Sequence, residues 1–135
     1  MSLKIEETER EGVVILELDG RITVGKEATA LRSTADRLNA AGRRNLVLDL
    51  AKVDYIDSTG LGALVMIATS MRKSGGNAKL LHLNRRNIEL LVMTKLATVF
   101  EIFNDEQDAI NSYFPDREIK PFDILNFVQQ MKQEE

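Results

Sequence analysis

The residues Asp57-Ser58-Thr59-Gly60-Leu61-Gly62 place an acid, two hydroxyls and two glycines side by side. Asp57 has the chemistry of a helix N-cap, a carboxylate that accepts a backbone N–H. Ser58 is then the first helical residue, with its hydroxyl turned to solvent. A phosphate on that hydroxyl adds about −1.5 to −2 charges. A helix N-terminus tolerates such an anion, because its free N–H groups and the helix dipole favour negative charge. A partner packing an apolar or acidic surface on the same helix would not tolerate it, and Asp57 would sharpen the repulsion. One site could therefore switch binding and leave the fold alone. Gly60 and Gly62 are poor helix-interior residues, so something must approach the backbone closely, either a partner or a neighbouring strand. The plainer account of the whole block is a helix cap with no further role, and local chemistry by itself favours that account.

Other reactive side chains have plainer accounts still. Thr59 is a second hydroxyl and fits a helix start better than a phosphate acceptor. His82 lies in Leu81-His82-Leu83, with no sequence sign of the nucleophile and partner that a catalytic base needs. Arg85 and Arg86 could meet an acidic partner or a phosphate, or simply be solvated charges at a helix start. Met66 and Met71 read as core filler. The chain has no cysteine and one histidine. It contains no phosphate-binding Gly-x-x-x-x-Gly-Lys-Ser/Thr run and no metal-ligand cluster. It is expected not to be an enzyme: no catalytic residue, metal or cofactor is assigned, and a phosphoryl group would be received rather than transferred.

The elements that must hold Asp57 and Ser58 follow from periodicity. Leu3 to Glu9 alternates as an amphipathic strand, Glu11-Gly12 signals a turn, and Val13 to Leu18 reads as a second strand ended by Asp19-Gly20. Gly25 to Ala41 changes to helical spacing, with Ala28, Leu31, Ala35 and Leu38 on one face and Gly42 as terminator. Leu46 to Leu50 is a short strand apolar enough to be buried on both faces. Ala51 to Asp57 reads as a loop. A helix over Ser58–Lys73 carries Leu61, Leu64, Val65, Ala68 and Met71 as its stripe, with Arg72 and Lys73 suiting its C-terminal dipole. A strand over Lys79–Leu83, a helix over Ile88–Leu96, a strand over Val99–Phe103 and a helix over Asp105–Phe114 complete the pattern. A hairpin followed by alternating helices and strands predicts an α/β fold, with a mixed four- to five-stranded sheet and packed helices.

At 135 residues, 44 % hydrophobic and 29 % charged, the chain is an ordinary single domain able to bury a core unaided. The net charge of −3 hides an asymmetry: Arg43 to Arg86 holds eight Lys/Arg against three Asp/Glu, and Glu101 to Glu135 holds three against nine. The basic residues are scattered among apolar ones, which argues against direct nucleic-acid binding. Met1 to Glu7 lacks the basic and apolar regions of a signal peptide. The most apolar segment, Leu61 to Ala68, is too short to span a bilayer. A cytoplasmic protein without membrane insertion is expected.

The block Asp57-Ser58-Thr59-Gly60-Leu61-Gly62, after the apolar strand Leu46–Leu50, resembles the STAS domains of bacterial anti-sigma factor antagonists. The resemblance covers roughly residues 3 to 112 and includes Leu18-Asp19-Gly20, the Ser74-Gly75-Gly76 turn and Leu80–Leu83. It implies a STAS domain over 1–114, followed by a C-terminal extension over 115–135. It also implies that Ser58 is phosphorylated by a partner that is both anti-sigma factor and serine kinase, and restored by a phosphatase. The unphosphorylated protein would bind the kinase and release a sigma factor. Asp57, Ser58, Thr59, Gly60, Leu61 and Gly62 are then the partner-binding residues. Thr23 joins them, standing after Gly20 where family members often carry an acid. A scaffold that does not switch, within a signalling assembly or a membrane transport complex, is the alternative. In the extension, Phe122, Leu125, Val128 and Met131 are expected on one face of a short helix started near Pro121, which could pack on the domain, self-associate or dock a partner.

Overall fold

A computed structural model describes residues 3–134. Met1, Ser2 and Glu135, at the outer ends of the two expected units, lie outside the described residues. Strands β1 (Lys4–Arg10) and β2 (Val13–Ile22) precede helix α1 (Lys26–Ala40). Then β3 (Asn45–Ile56), α2 (Ser58–Lys73), β4 (Asn77–Leu81), α3 (Arg85–Met93), β5 (Ile102–Phe103), α4 (Glu106–Asn111) and α5 (Ile124–Glu134) follow. The five strands lie in the order β1-β2-β3-β4-β5. Only β1 is antiparallel to its neighbour; β2 to β5 run parallel. This is the mixed α/β sheet expected from the hairpin and the alternating elements.

The hairpin closes on Glu11 and Gly12, both at positive φ (54° and 81°), between the paired residues Arg10 and Val13. Two consecutive left-handed residues twist a tight turn in the sense that strands require. On β2 and β3 the side chains alternate between two cores. Val14, Leu16, Leu18, Leu46, Leu48 and Leu50 face the larger core, shared with Leu31, Leu38, Leu64 and Met71 of α1 and α2. Val13, Ile15 and Val47 face a smaller one, closed by Phe103 and by Ala109 and Ile110 of α4. Burial on both faces explains the apolar run Leu46-Val47-Leu48, which the buried Asp49 interrupts before Leu50.

Two expectations about the strands are corrected. Asp19-Gly20 does not end β2, and Ala51–Asp57 is not a loop. Beyond Leu50, β3 continues beside β2, pairing Lys52 with Asp19, Val53 with Gly20, Tyr55 with Arg21 and Ile56 with Ile22. The register shifts between Glu17 and Asp19 and again between Gly20 and Arg21. Gly20, at φ 126°, supplies the backbone freedom of a bulge rather than a turn. The other boundaries move by a few residues. β4 stops at Leu81, because His82 turns left-handed at φ 59°. α3 begins at Arg85 behind the cap Asn84 and closes before Lys95 at φ 63°.

The C-terminal helix packs on its own domain: Phe122, Ile124 and Phe127 lie against the larger core, and the Phe122 N–H bonds the Ile102 carbonyl at 2.9 Å. Its inward face differs from the expected one. Asp123 caps the helix by accepting from the Asn126 N–H at 3.0 Å. That cap sets the phase so that Ile124, Phe127, Val128 and Met131 share a partly covered face, while Leu125 points out, 75 % exposed. No helix among the described residues is long and apolar enough to cross a membrane.

Candidate functional site

The continued pairing of β2 with β3 delivers the end of β2 to the first turn of α2. The Asp57 N–H donates to the Ile22 carbonyl at 3.2 Å. Asp57 sits in extended conformation as the N-cap, and its Oδ1 accepts from the Gly60 N–H at 2.7 Å. Its Oδ2 accepts from the Val24 N–H at 2.9 Å. One carboxylate thus ties the helix start to the β2–α1 connection. These N–H donors, chiefly that of Gly60 and then that of Val24, hold its pKa below the ordinary value of 3.8.

Ser58, the first residue of α2, is exposed, and so is Thr59. The two glycines part company. A Cβ at Gly60 would stand 1.9 Å from the Ile22 carbonyl oxygen, so the crossing of β2 over the helix requires glycine there. Around Gly62 a Cβ would meet nothing within 4 Å, and the residue is exposed. The close neighbour expected of both glycines is a strand for Gly60 and, among the described residues outside its own stretch of helix, nothing for Gly62. Gly60 and Leu61 are buried and present no side chain to a partner. Thr23 is half-buried in the turn after β2, where its carbonyl accepts the Ala28 N–H at 3.1 Å.

Shallow depressions flank this corner. One, of about 320 Å³, is lined by Tyr55, Asp57, Ser58, Arg86, Leu90 and Met93 among others. The second, of about 480 Å³, has Val24, Arg32, Thr59, Gly62 and Met66 in its walls. Apolar side chains stand out around both: Val24 is 66 % exposed, Met66 50 % and Met93 76 %. The reading of Met66 as core filler is therefore corrected, whereas Met71 is buried in the larger core. Met66 lies off the stripe formed by Leu61, Leu64, Ala68 and Met71, and that misfit was a usable signal. Met93 and the position of Arg86 had no such signal, because they reach Ser58 only through the packing of α3 beside β3, whereas Tyr55 lies on β3 itself, three residues before Ser58.

His82 lies elsewhere. Its Nδ1 is 3.1 Å from Asp49 Oδ1, whose carboxylate also accepts the Ala51 N–H at 3.1 Å. Among the described residues no group of three His, Asp or Glu side chains could hold a metal ion.

Residues 4–109 match the STAS domain family. The chain belongs to that family. The STAS domain is similar to the anti-sigma-B factor antagonist of Bacillus subtilis, at 32 % identity over 102 residues, covering 76 % of this chain and 92 % of the relative. A Thermotoga maritima crystal structure, of a candidate anti-sigma factor antagonist, superposes with a TM-score of 0.75 at 26 % identity, over 80 % of this chain and 92 % of that one. The anti-sigma factor antagonist SpoIIAA in its unphosphorylated form shares the fold, with a TM-score of 0.62 at 16 % identity over 84 % of this chain and 98 % of its own. The phosphorylated form of SpoIIAA gives 0.64 at 15 % identity, over 82 % and 98 %. These relatives are named for antagonising another protein, a binding role rather than a catalytic one.

Proposed function

We propose that this STAS protein is an anti-sigma factor antagonist whose binding is switched off by phosphorylation of Ser58. Unphosphorylated, it engages an anti-sigma factor with serine kinase activity in the cytoplasm and so frees a sigma factor. The kinase transfers the terminal phosphoryl group of a nucleoside triphosphate: the Ser58 Oγ–P bond forms, the bridging bond to the diphosphate breaks, and the hydroxyl proton leaves to a base on the partner. A phosphatase reverses the change by hydrolysis.

One observation carries this reading: an exposed hydroxyl at the positive end of a sixteen-residue helix, in a depression shared with the exposed Met93, while Val24 and Met66 stand out around the neighbouring depression that Thr59 lines. Exposed apolar groups gathered at one corner suit a protein partner. The new anion would stand beside the carboxylate of Asp57, in the depression that Leu90 and Met93 also line, so a partner fitted to the uncharged surface would be expelled. The domain itself keeps its cap, since the Asp57 bonds to Gly60 and Val24 do not involve the Ser58 hydroxyl. That SpoIIAA exists in both forms is in keeping with a fold that accommodates the modification. Thr59, Gly62 and Thr23 remain proposed contacts at the rim, with Gly60 and Leu61 contributing by shaping the helix start.

Pull-down against the cognate anti-sigma kinase tests the proposal. Ser58→Ala is expected to stay bound in the presence of nucleotide, and Ser58→Asp to bind at least about tenfold more weakly. Equal retention of both variants would sink it.

A further inference from the structure

The two arginines that open α3 have different surroundings. Arg85 is tied by two carboxylates, Glu89 one turn along its own helix and Glu134 near the end of α5. Arg86 makes no ion pair among the described residues. Its guanidinium instead lies over the ring of Tyr55, 5.0 Å from Cζ to centroid. Tyr55, Arg86 and Ser58 line the same depression. Glu89 also lines it, but its carboxylate is occupied by Arg85 at 2.9 Å. On the other flank of α2, Arg32 shares its depression with Thr59 and not with Ser58.

We infer that Arg86 is the intramolecular receiver of the Ser58 phosphate, leaving the face of Tyr55 to pair with it once the serine is modified. This rests on the reading of Ser58 as a phosphorylation site and goes beyond it, by naming what holds the modified state. A guanidinium suits a phosphate well, being planar, permanently charged and able to meet two phosphate oxygens at once. Its present contact is a weak one at an exposed site, and a phosphate dianion across a shared depression offers it a stronger, charge-assisted partner. The inferred move has two consequences for a partner. The cation–ring pair at the rim is dismantled, and Arg86 is no longer available to an acidic group of the kinase. Phosphorylation then removes one attraction as well as adding a repulsion.

The test uses the full chain with phosphoserine genetically encoded at position 58, so no kinase is needed. The phosphorus-31 resonance is followed against pH in the wild-type background and in Arg86→Gln. Both proteins keep the same helix N-terminus, so the difference between them isolates Arg86. The second ionisation of the phosphate is expected at a pH about half a unit higher in Arg86→Gln, because a nearby cation favours the dianion. The gap is expected to narrow as salt is raised, as for any exposed ion pair. Coincident titration curves at low salt would overturn the inference, and would leave the pull-down contrast between Ser58→Ala and Ser58→Asp untouched. Conversely, failure of that contrast would remove the switch while the titration still reported whether Arg86 meets the phosphate.

Discussion

The two ends of the parallel strands handle polar groups in opposite ways. At the N-terminal ends of β3 and β4, Tyr113 turns inward. Its hydroxyl accepts from the Leu46 N–H at 3.1 Å and donates to the Leu46 carbonyl at 2.5 Å, with the Asn77 carbonyl 2.9 Å away. The Lys79 amine is buried over the Tyr113 ring at 4.1 Å, donates to the Ser112 carbonyl and hydroxyl, and meets Glu101 at 3.3 Å. Burial pushes the Tyr113 phenol well above its usual range, so it stays a neutral donor. At the other end, past β3, the Asp57 carboxylate and the Asn84 and Asn87 amides are engaged by backbone groups, while Ser58 and Thr59 face water. Polar groups that are buried and satisfied hold elements together. Hydroxyls left outward beside apolar groups are free to meet something else.

Four experiments press on that contrast. The largest effect is expected at the one point where the exposed corner is itself tightly packed. Gly60→Ala forces a methyl into the Ile22 carbonyl and should destabilise the fold by about 3 kcal/mol. Gly62→Ala, on the open side of the same turn, should instead stabilise by up to about 1 kcal/mol through helix propensity. Urea unfolding of the pair reads the difference directly; similar losses at both would erase the distinction between strand-facing and solvent-facing glycine. Next comes Tyr113→Phe at the buried end. It leaves backbone groups of β3 and β4 short of a partner and should cost about 1–3 kcal/mol in the same assay, with partner binding unchanged.

A smaller effect, about 1 kcal/mol, is expected for Asp57→Ala through loss of the cap. Its pH dependence has a definite sign. Because the native carboxyl titrates below its ordinary value, the folded state prefers the ionised form. The stabilisation is therefore complete above the ordinary carboxyl range and is lost as pH falls through the lowered native value. The stability gap between wild type and Asp57→Ala should be flat near neutrality and close in acid; a gap that widens in acid would reverse the assignment. Smallest of all is Ser58→Ala, expected to change stability by less than about 0.5 kcal/mol although, under the proposed switch, it makes binding insensitive to nucleotide. A substantial loss of stability there would return the residue to a structural role.

Much of this was readable from residue order. Asp57 as a cap and Ser58 as the first helical residue followed from side-chain chemistry, and α2 runs from Ser58 to Lys73 as its stripe predicted. The hairpin at Glu11-Gly12 and the two-sided burial of Leu46–Leu50 followed from turn residues and from period. Caps, turns and periodicity are settled within a few residues of chain, so the letters alone determine them. The end of the sheet is another matter. Asp19-Gly20 and Ala51–Asp57 look like breaks in isolation, and they are strand only because each segment hydrogen-bonds the other across the β2–β3 ladder. That pairing brings Ile22 over Gly60, and the packing of α3 brings Arg86 and Met93 to Ser58. The sequence by itself determined which hydroxyl starts the helix. The tertiary structure decided which groups surround it, because contacts between distant segments depend on how whole elements pair and pack, and no local run of residues encodes them.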